Sequence, residues 1–172
     1  FAEFIFGEDN ENLPSVIVNE LKSRGESIVF AESCTGGLLS ASLTSISGSS
    51  KVFKGSIIAY SNAIKNSLLN VHNELIDTYG AVSEEVAEAM AIGAKVNLNS
   101  DWAISVSGIA GPDGGTKDKP VGLVYISIKG PHNQTINLKK QFSSIRNRKE
   151  IQRLSVNECL NRLRLILLSY KK

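Results

Sequence analysis

Short apolar runs that end in turns of small residues are the most constraining feature of this chain. Residues 28–30 form one such run, followed by the turn 32–37 and by a helical pattern over 38–46. A second run, 102–106, ends in the loop 107–116, which contains four glycines. The order strand, small-residue turn, helix is typical of α/β proteins, in which ligands bind at the carboxyl ends of the strands.

The remaining pattern completes an α/β domain. Apolar residues at helical spacing predict further helices over 14–24, 62–69, 83–95 and 148–169. Ser83 is the predicted N-cap of the helix over 83–95. Strands are predicted over 27–31, 51–60 and 102–106, and an antiparallel hairpin over 121–128 and 134–142. This order predicts a largely parallel sheet with one hairpin and with helices on both faces.

Only two cysteines and two histidines occur among the 172 residues, and this scarcity excludes several kinds of site. Cys34 and Cys159 cannot build a zinc cluster, a Cys-x-x-Cys redox pair or a disulfide framework. Two histidines cannot supply a three-histidine metal centre. His72 and His132 lie in segments that favour the surface, so a Ser-His-Asp triad is not expected. Enzymatic chemistry would have to come mainly from Ser, Lys, Tyr, Asp, Glu, Arg and the main chain.

Charge is unevenly distributed although the formal net charge is only +2. Residues 139–172 contain ten Lys or Arg and two Asp or Glu, a net of +8, which leaves nine against fifteen, a net of −6, in residues 1–138. The basic segment is interpreted either as a solvated helix or as a source of arginines that reach a bound phosphate or carboxylate. Nucleic-acid binding is not favoured, because only Phe142 and Tyr170 lie among these charges as stacking aromatics.

The beginning of the chain gives no sign of a targeting segment. Residues 1–6 are apolar but acidic, and they lack the basic flank of a signal peptide. No apolar run reaches the roughly 20 residues that a membrane span needs. A cytoplasmic location without membrane association is therefore expected, with residues 1–12 as a linker or N-terminal extension.

The turn 32–37 is the first candidate site. Ser33 directly follows a buried strand at the start of a helix, where a hydroxyl can act as a nucleophile. The main-chain N–H groups of Thr35, Gly36 and Gly37 could bind an oxyanion or a phosphate. The alternative is an ordinary helix start with a hydroxyl cap. Cys34 is a rival nucleophile, but it is interpreted as a small inward-facing apolar residue.

Tyr60 and Lys65 form the second candidate site, where a strand meets a helix. Partial burial would lower the pKa of a lysine, and a neutral lysine can accept the proton of a serine hydroxyl. Tyr60 could relay that proton or orient a substrate. The alternative for Lys65 is a solvated surface residue.

The loop 107–116 is the third candidate. Its small residues, among them Ser107, Gly108 and Gly111, suit a pocket lined by main chain for an anion or a nucleotide. The spacing matches neither the P-loop nor the Gly-x-Gly-x-x-Gly pattern, and a plain wide turn is the alternative.

Five motifs in this order resemble one known family: 31–37, 60–62 with Lys65, 79–83, 107–112 with 114–116, and 119–122. Over residues 14–168 the chain resembles the C-terminal domain of the competence/damage-inducible protein A (CinA) family. The resemblance implies a single domain over 1–172, with a three-layer α/β/α sandwich and a mixed, mostly parallel five-stranded sheet. It also implies a nicotinamide-nucleotide amidohydrolase that converts nicotinamide mononucleotide to nicotinate mononucleotide and ammonia. Homodimers are common in that family, and the deamidation needs neither a metal nor a cofactor.

The resemblance also implies roles for individual residues. Ser33 would be the nucleophile, Lys65 its base and Tyr60 a helper in proton transfer. For the oxyanion of such a reaction, the main-chain N–H groups of Thr35, Gly36 and Gly37 are the candidate donors. Ser107, Gly108 and Gly111 would shape the nucleotide pocket.

The chain departs from the family pattern at the start of the last helix. Asn147-Arg148 best matches the Asp-Arg pair of the family, and Gln152 stands where a second arginine is expected. Arg148 is therefore the first choice for a phosphate or partner contact, with Arg146 and Arg153 as rivals. That departure keeps an alternative open, a non-catalytic module that binds a nucleotide or a partner.

Overall fold

The computed structural model describes residues 12–169. The helices of this part are α1 (Leu13–Arg24), α2 (Leu38–Thr44), α3 (Asn62–Leu69), α4 (Asn73–Tyr79), α5 (Glu84–Asn97) and α6 (Arg148–Ser169). The strands are β1 (Ile28–Glu32), β2 (Phe53–Ile58), β3 (Trp102–Gly108), β4 (Leu123–Lys129) and β5 (Thr135–Gln141), and a short 3-10 turn, Ser49–Lys51, precedes β2. Except for Asn12, the linker expected over residues 1–12 lies outside the described residues.

The five strands form one sheet in the order β2-β1-β3-β4-β5. β1 pairs in parallel with β2 and β3, whereas β4 is antiparallel to both β3 and β5. β4 is thus the one strand of this sheet that runs against the others. The expected mixed, mostly parallel five-stranded sheet is confirmed, as is the expected hairpin.

Two apolar layers cover the two faces of the sheet. Alternate residues of β1 point to opposite faces, so Phe30 joins the core cluster formed with α1, α2 and α6. Val29 and Ala31 join the cluster formed with α3, α4 and α5. All five residues of β1 are buried, because helices pack on both sides of this strand. The arrangement is the expected three-layer α/β/α sandwich.

Local capping explains where several helices begin and end. Asn12 accepts a hydrogen bond from the main-chain N–H of Ser15 at the start of α1, and Gly25 ends that helix in the left-handed conformation, φ 65°. Ser61 and Ser83 cap α3 and α5 through their side chains. The N-cap predicted at Ser83 is therefore confirmed.

The structure corrects the bounds of several predicted elements. The helix expected over 38–46 ends at Thr44, and the strand expected over 51–60 is β2, Phe53–Ile58. The strand expected over 102–106 continues to Gly108, so Ser107 and Gly108 belong to β3 rather than to the loop. α4 forms in a segment for which no definite helix was predicted. Within residues 12–169, none of the helices combines the length and the apolar content that crossing a membrane would require.

Candidate active site

The carboxyl ends of the three parallel strands meet at one end of the sheet. Ser33 follows β1 and continues its pairing, because its main-chain N–H donates to the carbonyl of Val106 in β3 at 3.0 Å. Ala59 follows β2, and its N–H donates to the carbonyl of Glu32 at 2.8 Å. These two main-chain bonds place the turn after β1 beside the turn after β2.

A cavity of about 270 Å³ opens at this point of the fold. Its lining includes seven of the residues proposed from the sequence: Ser33, Tyr60, Lys65, Ser107, Gly108, Gly111 and Arg148. Thr35, Gly36 and Gly37 are not among its lining residues. The fold therefore brings the nucleophile, base and loop candidates together, but it leaves most of the expected oxyanion turn outside the cavity.

Ser33 and Lys65 are neighbours in this cavity. The Nζ of Lys65 lies 3.3 Å from the Oγ of Ser33, and it also donates to the carbonyl of Ala59 at 2.9 Å. Lys65 is only 2% exposed, and this burial lowers its pKa, while an electrostatic interaction with Cys34 opposes the shift. No carboxylate within residues 12–169 lies at ion-pair distance from this Nζ. Burial without a counterion favours the neutral amine.

Tyr60 contacts Arg148 rather than the serine. Its hydroxyl accepts a hydrogen bond from Nη2 of Arg148 at 2.8 Å, and Nη1 of Arg148 donates to the carbonyl of Gly111 at 2.9 Å. In the described part of the chain the Tyr60 hydroxyl makes no hydrogen bond with Ser33 or Lys65. The hydroxyl of Ser33 is therefore in direct contact with the amine of Lys65, whereas the hydroxyl of Tyr60 contacts Arg148.

Of the three arginines proposed for a phosphate contact, Arg148 is the one that lines the cavity. Arg146 precedes α6 and lies 3.9 Å from Glu150 in the first turn of that helix. Arg153 is exposed and lies one helical turn beyond Arg148. The position of Arg148 as the first residue of α6 brings its side chain over the loop 107–116.

Glu32 has a role that its position in the sequence did not reveal. Its side chain is fully buried, and its carboxylate accepts hydrogen bonds from the hydroxyl of Thr35 at 2.7 Å and from the N–H groups of Gly37 and Leu39 at 3.0 Å each. The N–H of Ser40 donates to the same carboxylate at 2.8 Å. An internal anion thus occupies the N-terminus of α2, the position expected to bind a ligand anion. A carboxyl group at the end of an apolar strand and just before a helix is the signal that could have predicted this.

The expected oxyanion site needs a correction for two of its three members. The N–H of Gly37 is bonded to Glu32, and the N–H of Gly36 donates to the carbonyl of Ser33 at 3.2 Å. Both groups therefore already have acceptors. The N–H of Thr35 has no acceptor within residues 12–169.

Gln152 supports the turn that carries Ser33. Its Nε2 donates to the carbonyl of Cys34 at 2.8 Å, so α6 holds the residue directly after Ser33. The side chain of Cys34 is buried, and burial raises the pKa of its thiol to about 12. Cys34 packs into the apolar core cluster, as expected for a small inward-facing residue, and it also borders the cavity.

Other details of the cavity were not predicted as site features. The hydroxyl of Ser107 donates to the carbonyl of Ala81 at 2.7 Å, so it holds a cavity wall in place. Asn62, Val82 and Asp113 also line the cavity, and all three lie in or beside motifs noted in the sequence. His72 and His132 are exposed, as expected.

A larger cavity, about 710 Å³, lies at the opposite end of the sheet and is lined by residues that include Lys95, Lys129 and Gly130. There Lys129 forms an ion pair with Glu88 at 2.6 Å, whereas the Nζ of Lys65 in the smaller cavity is hydrogen-bonded to a serine hydroxyl and a main-chain carbonyl. The chemistry of the side chains, rather than cavity size, therefore identifies the smaller cavity as the candidate active site.

Comparison with known sequences agrees with the resemblance noted above. The family model for the CinA C-terminal domain matches residues 10–167. A CinA-like protein of Prochlorococcus marinus strain AS9601 is 69% identical over 172 residues, which cover 100% of this chain and 41% of that protein. A second CinA-like protein, from P. marinus subsp. pastoris, is 70% identical, with coverages of 100% and 40%. The chain thus spans about two fifths of the length of these curated relatives.

Solved structures show the same fold. The competence/damage inducible protein CihA of Agrobacterium tumefaciens has a TM-score of 0.88 and 37% identity, over 95% of this chain and 98% of that one. The competence damage-inducible protein A (ComA) of Klebsiella pneumoniae also has a TM-score of 0.88, with 29% identity over 92% and 97% of the two chains.

Proposed function

The chain belongs to the CinA C-terminal domain family, and we propose that it is an amidohydrolase that acts on the carboxamide of nicotinamide mononucleotide. The products are nicotinate mononucleotide and ammonia. One observation carries the proposal: the Oγ of Ser33 lies 3.3 Å from the Nζ of a buried Lys65 whose pKa is lowered. A serine paired with a lysine that can be neutral is a combination suited to nucleophilic attack on an amide.

The first half of the reaction acylates Ser33. Neutral Lys65 takes the hydroxyl proton while Oγ attacks the amide carbon, and a tetrahedral oxyanion forms. The distance between Nζ and Oγ is slightly beyond that of a tight hydrogen bond, as is common before a substrate is bound. The Lys65 ammonium then gives its proton to the amide nitrogen, the C–N bond breaks, and ammonia leaves an ester on Ser33.

The second half of the reaction is hydrolysis of this ester. Lys65, neutral again, takes a proton from a water molecule that attacks the ester carbon. Collapse of the second tetrahedral intermediate breaks the bond to Oγ, which regains its proton from Lys65. Nicotinate mononucleotide is released and the resting enzyme is restored.

The oxyanion of both intermediates needs a hydrogen-bond donor. Of the three expected donors, the N–H of Thr35 is the one without an acceptor within residues 12–169, and it lies two residues after Ser33, although Thr35 itself does not line the cavity. Loss of one such donor typically lowers kcat by roughly 100- to 1000-fold. The N–H groups of Gly36 and Gly37 belong to the internal bonding of the turn instead.

Arg148 is the proposed contact for the phosphate. Its guanidinium faces the cavity and is bonded to Tyr60 and to the carbonyl of Gly111, both of them neutral acceptors. A phosphate oxygen is a stronger acceptor, because the resulting hydrogen bond joins two opposite charges. Ser107, Gly108 and Gly111 line the same cavity, and they are the proposed walls around the sugar and phosphate.

An assay of ammonia release from nicotinamide mononucleotide at neutral pH tests the proposal. The wild-type protein is expected to release ammonia, and Ser33→Ala is expected to abolish turnover while retaining binding. Ser45→Ala, which changes an exposed serine at the end of α2, is the matched control and should be fully active. Absence of ammonia release from the folded wild-type protein would overturn the proposal.

A non-catalytic module for binding a nucleotide or a partner is the second candidate. One observation favours it: Gln152 stands beside the nucleophile turn and adds no positive charge to the cavity. Under this alternative, calorimetry shows tight binding of the mononucleotide without turnover, and Ser33→Ala leaves function unchanged.

A further inference from the structure

Asp113 is a carboxylate in the catalytic cavity that the proposed reaction does not use. It lies in the loop between β3 and β4, two residues after Gly111, and it lines the same cavity as Ser33 and Lys65. Its side chain is exposed. Within residues 12–169 it has no salt bridge and no hydrogen-bond partner, so its oxygens are free to accept hydrogen bonds from a ligand.

Arg148 lines the same cavity as Asp113 but does not pair with it. Arg148 donates to the carbonyl of Gly111, yet its guanidinium bonds to Tyr60 rather than to Asp113. The cavity therefore keeps one positive and one negative group that do not neutralise each other. A carboxylate can only accept hydrogen bonds, so the complementary ligand carries an acidic group for Arg148 and hydroxyl donors for Asp113.

The exposed fractions of the lining side chains indicate which of them lie at the inner end of the cavity and which lie at its mouth. Lys65 is 2% exposed and lies at the inner end, whereas Tyr60 is 62% exposed and Asp113 is also exposed. If the carboxamide reacts at Ser33, the ribose and phosphate on the other side of the pyridinium ring extend toward the mouth of the cavity. The pentose then lies between the ring and the phosphate, in the part of the cavity that Asp113 and Arg148 line without contacting each other.

We propose that Asp113 accepts hydrogen bonds from the vicinal 2′- and 3′-hydroxyls of the ribose and thereby selects ribonucleotides over their deoxy analogues. This inference rests on the proposed function, since the reaction at Ser33 sets the direction of the substrate. The main chain of the loop is closely packed two residues before Asp113. Gly111, at φ 75°, packs so closely that a Cβ there would lie 2.6 Å from Cγ1 of Val121, and Gly114 is also left-handed, at φ 87°.

The test compares two substrates in three proteins. Nicotinamide mononucleotide and its 2′-deoxyribose analogue are assayed with the wild type, with Asp113→Asn and with Asp118→Asn, and kcat/KM is measured for each combination. Asp118 is an exposed carboxylate of the same loop that does not line the cavity, so its variant is the matched control.

We expect the wild type and Asp118→Asn to prefer the ribonucleotide by roughly 10-fold, the size of one hydrogen bond to a charged group. In Asp113→Asn this preference should fall to within about 2-fold, because the remaining amide oxygen is an uncharged acceptor. An unchanged preference in Asp113→Asn overturns the inference. An equal loss with both substrates also overturns it, since the carboxylate would then attract the cationic pyridinium ring instead of the hydroxyls.

A binding arm separates this inference from the proposed function. Calorimetric affinities of the two nucleotides are measured with the Ser33→Ala background and with its combination with Asp113→Asn. If the wild type shows no turnover but the binding preference depends on Asp113, the amidohydrolase proposal fails and the ribose contact stands. If turnover is found and the preference is independent of Asp113, the ribose contact fails and the amidohydrolase proposal stands.

Discussion

The Nζ of Lys65 lies 3.3 Å from the Oγ of Ser33, although the two residues are 32 positions apart in the chain. Each of them follows a different strand, and the pairing of β1 with β2 brings the two turns together. The amine is buried and has an uncharged acceptor, the carbonyl of Ala59, as its other partner. This relationship is the basis of the proposed base catalysis, and its consequences can be measured.

The first prediction concerns the pH dependence of the reaction. Burial lowers the pKa of Lys65 below its ordinary value of 10.5, and only the neutral amine can take the Ser33 proton. We expect kcat/KM to rise with pH through a single ionisation below 10.5 and to level off above it. A profile without this ionisation would contradict the role of Lys65 as the base.

The same shift predicts the pH dependence of stability. Between the folded pKa and 10.5 the unfolded chain binds the extra proton, so the free energy of unfolding contributed by this group increases with pH. Below the folded pKa the full cost of burying the ammonium is present. Lys65→Met should remove this slope in denaturant titrations and lower kcat by about 100- to 10,000-fold. Lys51→Met, at an exposed lysine, is the control and should change neither.

The second prediction concerns Glu32. Glu32→Ala leaves the N–H groups of Gly37, Leu39 and Ser40 without their acceptor, and unpaired buried groups are costly. We expect a loss of about 2–4 kcal/mol in the free energy of unfolding, measured by chemical denaturation, and a smaller loss for Glu32→Gln. Glu85→Gln changes an exposed acid in the first turn of α5 and should leave stability nearly unchanged. Equal effects of Glu32→Ala and Glu85→Gln would refute the role of Glu32 as an internal anion.

The third prediction concerns Gln152 as a positioning residue. Gln152→Ala removes the donor to the carbonyl of Cys34, so the turn with Ser33 loses its contact with α6. We expect kcat to fall about 10-fold, which corresponds to one hydrogen bond, with KM nearly constant. Gln152→Arg keeps a donor and should restore most of the activity, whereas Arg153→Ala, at an exposed neighbour, should have no effect. A change in KM alone would show that Gln152 acts on substrate binding instead.

The fourth prediction separates two roles of Tyr60. If its hydroxyl orients Arg148, as the 2.8 Å contact indicates, Tyr60→Phe should raise KM for the nucleotide several-fold and leave kcat nearly unchanged. A proton relay requires the opposite, a large fall in kcat at constant KM. Arg148→Ala should raise KM further, by about 10- to 100-fold. Tyr79→Phe, at a tyrosine that is 46% exposed, serves as the control.

The helices whose signals are local could be predicted best. α3 and α6 form over the residues that the apolar spacing indicated. Ser61 and Ser83 cap α3 and α5 by accepting a hydrogen bond from the main-chain N–H three residues further along the chain. Such contacts depend only on neighbouring residues, so they are visible in the sequence. α4 was missed because its seven residues carry few periodic apolar positions and no side-chain cap. The motifs likewise identified Ser33, Lys65 and Arg148 as candidates.

Only the tertiary structure decided how these candidates are connected. It paired Tyr60 with Arg148 across 88 positions and Gln152 with Cys34 across 118 positions. It also buried the carboxylate of Glu32 in the place expected for a ligand anion. The physical reason is that capping and hydrophobic periodicity act between residues a few positions apart. The distances between side chains in the cavity depend instead on the order of the strands in the sheet and on the packing of α6 against that sheet.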